Sequence, residues 1–79
     1  MISATQCRAA RAMLEWSQGD LGARAGINDV SVRAFEKGGT MRPSNNLKLQ
    51  KAFEVAGVIF IEENEISKSG GAGVRLIVE

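Results

Sequence analysis

Few side chains in this sequence can do covalent or metal chemistry. The chain holds no histidine and one cysteine, Cys7. The common zinc sites and nucleophile–base pairs therefore cannot be assembled. Glu62, Glu63 and Glu65 are oxygen donors of the kind a hard cation takes, but a charge run on a loop reads as a solvated surface. "KSGGAG" (Lys68 to Gly73) has the small residues of a phosphate loop without the preceding strand, the following helix or the trailing Lys-Ser/Thr. No enzyme, metal site or cofactor is expected. The remaining chemistry is non-covalent. Arg33, Lys37 and Arg42, with the amide of Gln18, supply the cations and donors that an anionic surface attracts.

The net charge of +1 conceals an asymmetry. Residues 1–51 carry eight cationic against four acidic side chains, and residues 52–79 carry two against five. A basic front and an acidic back suit a chain that turns one face to an anionic polymer. A length of 79 residues predicts one folding unit near the lower limit for a self-sufficient core. Aromatic residues make up 5%, so the core is aliphatic and thin, and a second subunit is expected to complete it. Cys7 reads as a small buried hydrophobe in a reducing cytoplasm. No leader peptide is expected, and no apolar run approaches the roughly 18 residues of a membrane span.

The elements that position these residues follow from caps and periodicity. Ser3-x-x-Gln6 is a capping box that opens a helix over about Ala4–Leu14. Ser17, with Asp20 three residues on, opens a second over about Gln18–Ala25, and Gly26 stops it. Asn28 caps a third helix, in which Val32 and Phe35 face inward, ending at Gly38-Gly39. Pro43 and Ser44 start a fourth over about Asn45–Ala56, with Ser44 as its cap and Leu49, Ala52, Phe53 and Ala56 on its inner face. "VIFIE" (Val58 to Glu62) and "VRLIV" (Val74 to Val78) are β-branched and short, which predicts a C-terminal β-hairpin with a long loop. The expected fold is mainly α: four helices over residues 1–57, then the hairpin over 58–79.

The second and third helices meet the demands of a helix-turn-helix. Leu21 and Ala25 point inward, Gly22 is small where the next helix crosses, Gly26 makes the turn, Ile27 plugs it, and Val32 and Phe35 anchor the second helix. On these residues, "WSQGDLGARAGINDVSVRAFEKG" resembles the XRE, or Cro-type, helix-turn-helix family of phage repressors and bacterial regulators, over about Thr5 to Gly57. The tail "AGVIFIEEN…GAGVRL" is similar, more loosely, to small stand-alone regulators of this type in proteobacteria.

The resemblance implies a DNA-binding transcriptional regulator, a repressor or autoregulator, that reads the major groove with the helix at about 29–37. Carried over by position, Gln18 would hold a phosphate. Asp29, Val30, Arg33 and Ala34 would face the bases, while Lys37, Arg42 and Ser44 would line the backbone. Arg11 and Glu36 match positions that form an ion pair in lambdoid repressors. Asp29 departs from the family's usual Gln, Arg, Ser or Thr. It either accepts from a cytosine amino group or only caps the helix and holds Arg33. The alternative function is a protein-interaction module, of antitoxin or anti-repressor type, on the same scaffold. A homodimer is expected on a near-palindromic operator, joined through Val58, Ile59, Phe60, Ile61, Val74, Leu76, Ile77 and Val78 of the strands.

Overall fold

The computed structural model describes residues 1–61 and the backbone of 73–76, with the side chain of Val74. It is mainly helical: α1 Ala4–Leu14, α2 Gln18–Ala25, α3 Asp29–Glu36 and α4 Pro43–Val55, followed by β1 Val58–Ile61 and β2 Gly73–Leu76. β1 and β2 pair antiparallel, with Val58 opposite Leu76 and Ile61 opposite Gly73. The acidic run Glu62, Glu63 and Glu65 lies outside the described residues, as do Ile77 and Val78 and all of "KSGGAG" except its last glycine.

Each helix begins and ends for a local reason. Ser3 Oγ accepts from the Gln6 amide at 3.1 Å while Gln6 Oε1 accepts from the Ser3 amide at 2.9 Å. Ser17 and Asp20 repeat the box at the head of α2, both bonds measuring 2.9 Å. α4 starts differently from the sequence expectation. Arg42 is its N-cap and Pro43 its first helical residue, with no side chain capping it. Ser44 is already inside the first turn. Proline's fixed φ and missing N–H suit the first helical position, which moves the start two residues earlier.

Gly26 closes α2 with φ 72°, and the Ile27 amide returns to the Gly22 carbonyl at 2.9 Å. α1 ends in the same motif without a glycine. Glu15 takes φ 57°, and the Trp16 amide reaches the Arg11 carbonyl at 2.9 Å. A side chain in the left-handed region carries a steric cost that glycine avoids. Glu15→Gly is therefore expected to raise stability by up to about 1 kcal/mol, read as a higher urea midpoint at unchanged slope.

The core is Ile2, Cys7, Ala10, Leu21, Val32, Phe35, Leu49, Phe53 and Val58. α2 packs on α3 and α4, α1 on α3 and β2, and α4 on β1. Trp16 stacks on Phe53 with centroids 5.7 Å apart, and Phe53 meets Phe60 edge-on at 5.7 Å. The N-terminus is tied down by Asn46, whose Oδ1 accepts from the Ile2 amide and whose Nδ2 donates to the Ile2 carbonyl, both at 2.9 Å.

Gly22 is buried, and the neighbour that demands its smallness is the turn. A Cβ there would collide with the Ile27 carbonyl oxygen and lie 3.5 Å from the Asp29 amide nitrogen. The crowding thus comes from backbone between the helices, which cannot rotate away as a side chain could. Gly22→Ala gains about 1 kcal/mol of helix propensity. Overpacking against fixed backbone outweighs that gain, for an expected net loss of about 1–3 kcal/mol in equilibrium urea unfolding.

Candidate nucleic-acid interface

The candidate surface is the outward side of α3. Asn28 Oδ1 accepts from the Val30 amide at 2.7 Å and sets the helix's start. Val32, Phe35 and Glu36 are buried. Asp29, Val30, Arg33, Ala34 and Lys37 are exposed. Their spacing of i, i+1, i+4, i+5 and i+8 makes one continuous stripe. Val30 is 60% exposed, an apolar β-branched residue in the middle of a polar stripe. Arg33 Nη2 lies 3.8 Å from Asp29 Oδ2, and both side chains are about half exposed. Such a pair contributes little to stability, but it orients the guanidinium along the stripe.

Beyond α3 the chain turns back sharply. Gly38 has φ 104°, and the Gly39 amide bonds the Ala34 carbonyl at 2.9 Å. This turn leads directly to Arg42 and Ser44, both exposed at the head of α4. That helix end carries no side-chain cap, so its amides and the positive end of its dipole are available to an anion.

Glu36, 5% exposed, fixes how α3 is presented. Its Oε1 accepts from Arg11 Nη2 at 2.7 Å and from Gln18 Nε2 at 3.1 Å. Its Oε2 accepts from Arg11 Nε at 2.7 Å and from Cys7 Sγ at 3.1 Å. Arg11 also donates to the Trp16 carbonyl at 3.0 Å, and Arg8 Nη1 donates to the Glu36 carbonyl. One carboxylate thereby joins α1, the head of α2 and the end of α3. Burial pushes the Glu36 carboxyl up, but the hydrogen bonds from Arg11, Cys7 and Gln18 and the Arg11 charge outweigh it and hold it below its ordinary value. Burial, then the hydrogen bond to Glu36, push the Cys7 thiol well up, which keeps it protonated as a donor.

The structure thus brings together Asp29, Val30, Arg33, Ala34 and Lys37, with Arg42 and Ser44 following on the next helix. Gln18, at the head of α2, gives a side-chain N–H to Glu36 at the end of α3, and the Ser17 cap takes the Asp20 amide. Arg8, on α1, holds the end of α3 through the Glu36 carbonyl. Neither Arg8 nor Cys7 could be found from spacing, because their partner lies 28 and 29 residues away. Among the described residues no helix is long and apolar enough to cross a membrane. The chain matches no protein-family model and no curated protein.

Proposed function

We propose that the chain is a sequence-specific, double-stranded DNA-binding regulator of helix-turn-helix type, acting as a homodimer. The observation that carries this reading is the exposed stripe of α3. It offers an acceptor, a methyl-bearing side chain and a guanidinium on consecutive turns of a helix whose other side is locked into the core. Those are the groups that meet a cytosine amino group, a thymine methyl and a guanine edge in a major groove. Lys37, Arg42 and the uncapped head of α4 supply backbone contacts around it. In this reading Gln18 acts from within, by steadying Glu36. Arg33 reads bases, and Asp29 both steadies it and faces the groove.

The test is fluorescence anisotropy on a duplex selected from a random library, against a random duplex. Binding to both should fall steeply with salt, with a log–log slope of about −4 to −7 for roughly 4–8 phosphate contacts per dimer. Arg42→Ala should weaken both duplexes alike. Arg33→Ala should cost about 1–3 kcal/mol more on the selected site than on random DNA. Equal losses would remove Arg33 from base readout. Failure of the library to enrich any sequence would sink the DNA reading and leave the protein-interaction alternative.

A further inference from the structure

A second surface lies away from the α3 stripe. Between the C-terminal end of α2 and the outer side of α4 runs an open groove of about 520 Å³, lined by Trp16, Arg24, Ala25, Lys48, Lys51, Ala52, Val55 and Ala56. No residue of α3 lines it. On α4, Lys48, Lys51, Ala52 and Val55 fall at i, i+3, i+4 and i+7, a stripe beside the one that carries Asn46, Leu49 and Phe53 into the core. Its floor is preorganised. The Trp16 ring is stacked on buried Phe53, and the Arg24 guanidinium lies 4.5 Å from the Trp16 centroid.

Two properties set this groove apart from an ordinary solvated helix face. Val55 is 90% exposed, so a large aliphatic side chain stands in water at one end of an apolar floor. The rim holds three cations and no lining residue is acidic. Among the described residues neither Lys48 nor Lys51 has a carboxylate within ion-pair distance. An apolar floor inside a one-sign rim attracts a ligand with the opposite arrangement. A DNA backbone would meet the cations but would leave the floor of Trp16, Ala52 and Val55 unmatched.

We propose that this groove docks an acidic amphipathic segment of a partner protein, lying along α4. Its aliphatic side chains sit on Ala25, Ala52 and Val55 beside the exposed edge of Trp16, and its carboxylates meet Arg24, Lys48 and Lys51. This is the helix-in-groove mode with an electrostatic rim. It gives the chain a partner-binding face independent of α3, so that DNA and a second protein can be held together.

Trp16 is the single tryptophan of the chain and reports directly on the groove. The probe is a capped peptide of about 14 residues, roughly four helical turns, made of leucine on one face and glutamate on the other, with no aromatic residue. Its counterpart carries lysine for glutamate. Full-length protein is titrated with each while Trp16 emission and backbone amide shifts are followed. The glutamate peptide should give a saturable change, with amide shifts confined to the end of α2 and to α4. The lysine peptide should bind at least about tenfold more weakly. The exposed charge reversals Lys48→Glu and Lys51→Glu should lose a similar factor while leaving the circular dichroism unchanged. Arg33→Ala should bind the peptide like the parent, which separates this surface from DNA reading.

Several results overturn the proposal: no saturable change, equal affinity for both peptides, or full binding to the Lys48→Glu, Lys51→Glu double variant. A Trp16 change that follows protein concentration without peptide, and disappears in the double variant, assigns the groove to a second copy of the chain instead. A double variant that loses DNA affinity but keeps peptide affinity assigns the lysines to the nucleic-acid surface.

Discussion

Glu36→Ala is expected to destabilise the protein by on the order of 3–5 kcal/mol. For a small domain at the low end of the usual range, about 5 kcal/mol in total, that is most of what keeps it folded. The expected size of the loss comes from what is stranded. Four side-chain hydrogen bonds converge on the Glu36 carboxylate. Removing it leaves the Arg11 guanidinium, about 20% exposed, facing an empty space with the Cys7 and Gln18 donors beside it. Arg11→Ala should cost less than Glu36→Ala, because the carboxylate keeps Gln18 and Cys7 and can be neutralised by a proton. Urea unfolding followed by Trp16 emission measures each loss. The double variant should recover about 0.5–3 kcal/mol relative to the sum of the two single losses. Strict additivity would mean that the pair contributes nothing as a pair.

The same carboxylate makes stability pH-dependent with a defined sign. Its folded value lies below the ordinary carboxylate value of 4.5. A group depressed in this way contributes stability that is fully present above the unfolded pKa and is lost as pH falls through the folded one. Asp20 is shifted in the same direction by the backbone bond to Ser17 and its hydroxyl, but it is fully exposed and its effect is screened. The acid loss below about pH 4.5 should therefore flatten in Glu36→Gln and persist in Asp20→Asn. A Glu36→Gln variant that unfolds along the parent's acid limb would show that other carboxylates govern it.

What the sequence made legible was whatever depends on neighbours a few residues apart. Ser3 with Gln6, Ser17 with Asp20, Asn28 and Gly26 each act within a single turn, so the cap residues alone mark the starts of α1, α2 and α3 and the end of α2. The head of α4 was harder because two local signals compete there. Ser44 is a good cap, but proline at position 43 fits the first helical turn and displaces it. The tail of α1 gave no signal, since Glu15 holds a conformation that usually announces itself with glycine. Apart from Arg11–Glu36, which the family resemblance supplied and which closes at 2.7 Å, contacts across the chain were illegible for a different reason. Asn46 embraces Ile2 from 44 residues away, and nothing in either neighbourhood hints at the other. Gln18 shows the limit most clearly. The family resemblance implies a phosphate ligand there, while the packing of α2 on α3 gives its side chain a partner in buried Glu36, 18 residues on, that no local pattern shows.

The 79-residue chain is expected to sediment as a homodimer, at twice its 8.5 kDa mass, and Ile59→Lys should convert it to a folded monomer. β1 supplies the reason. Val58 is buried and Phe60 lies edge-on against Phe53, so these two alternate residues serve the helical core. Ile59 and Ile61 alternate with them and are only half-buried. Strand geometry sends their side chains to the other face, where Arg75 stands opposite Ile59 and Gly73 opposite Ile61, and where in one chain the two isoleucines stay partly wet. Among the described residues β1 has β2 on one side and no further strand on the other. A two-stranded sheet is marginal in water, and an open apolar edge invites pairing. A second copy would satisfy both deficits and, on the proposed function, would set two α3 stripes for successive major grooves, about 34 Å apart, on a near-palindromic site. Charge at Ile59 leaves Val58 and Phe60 in place, so circular dichroism should report intact helices while sedimentation velocity reports half the mass. Affinity for a two-half-site duplex should then fall by more than tenfold, with affinity for an isolated half-site little changed, because only the linked second contact is lost. A parent chain that sediments as a monomer at tens of micromolar, or an Ile59→Lys variant that remains dimeric, would place the contact elsewhere or remove it.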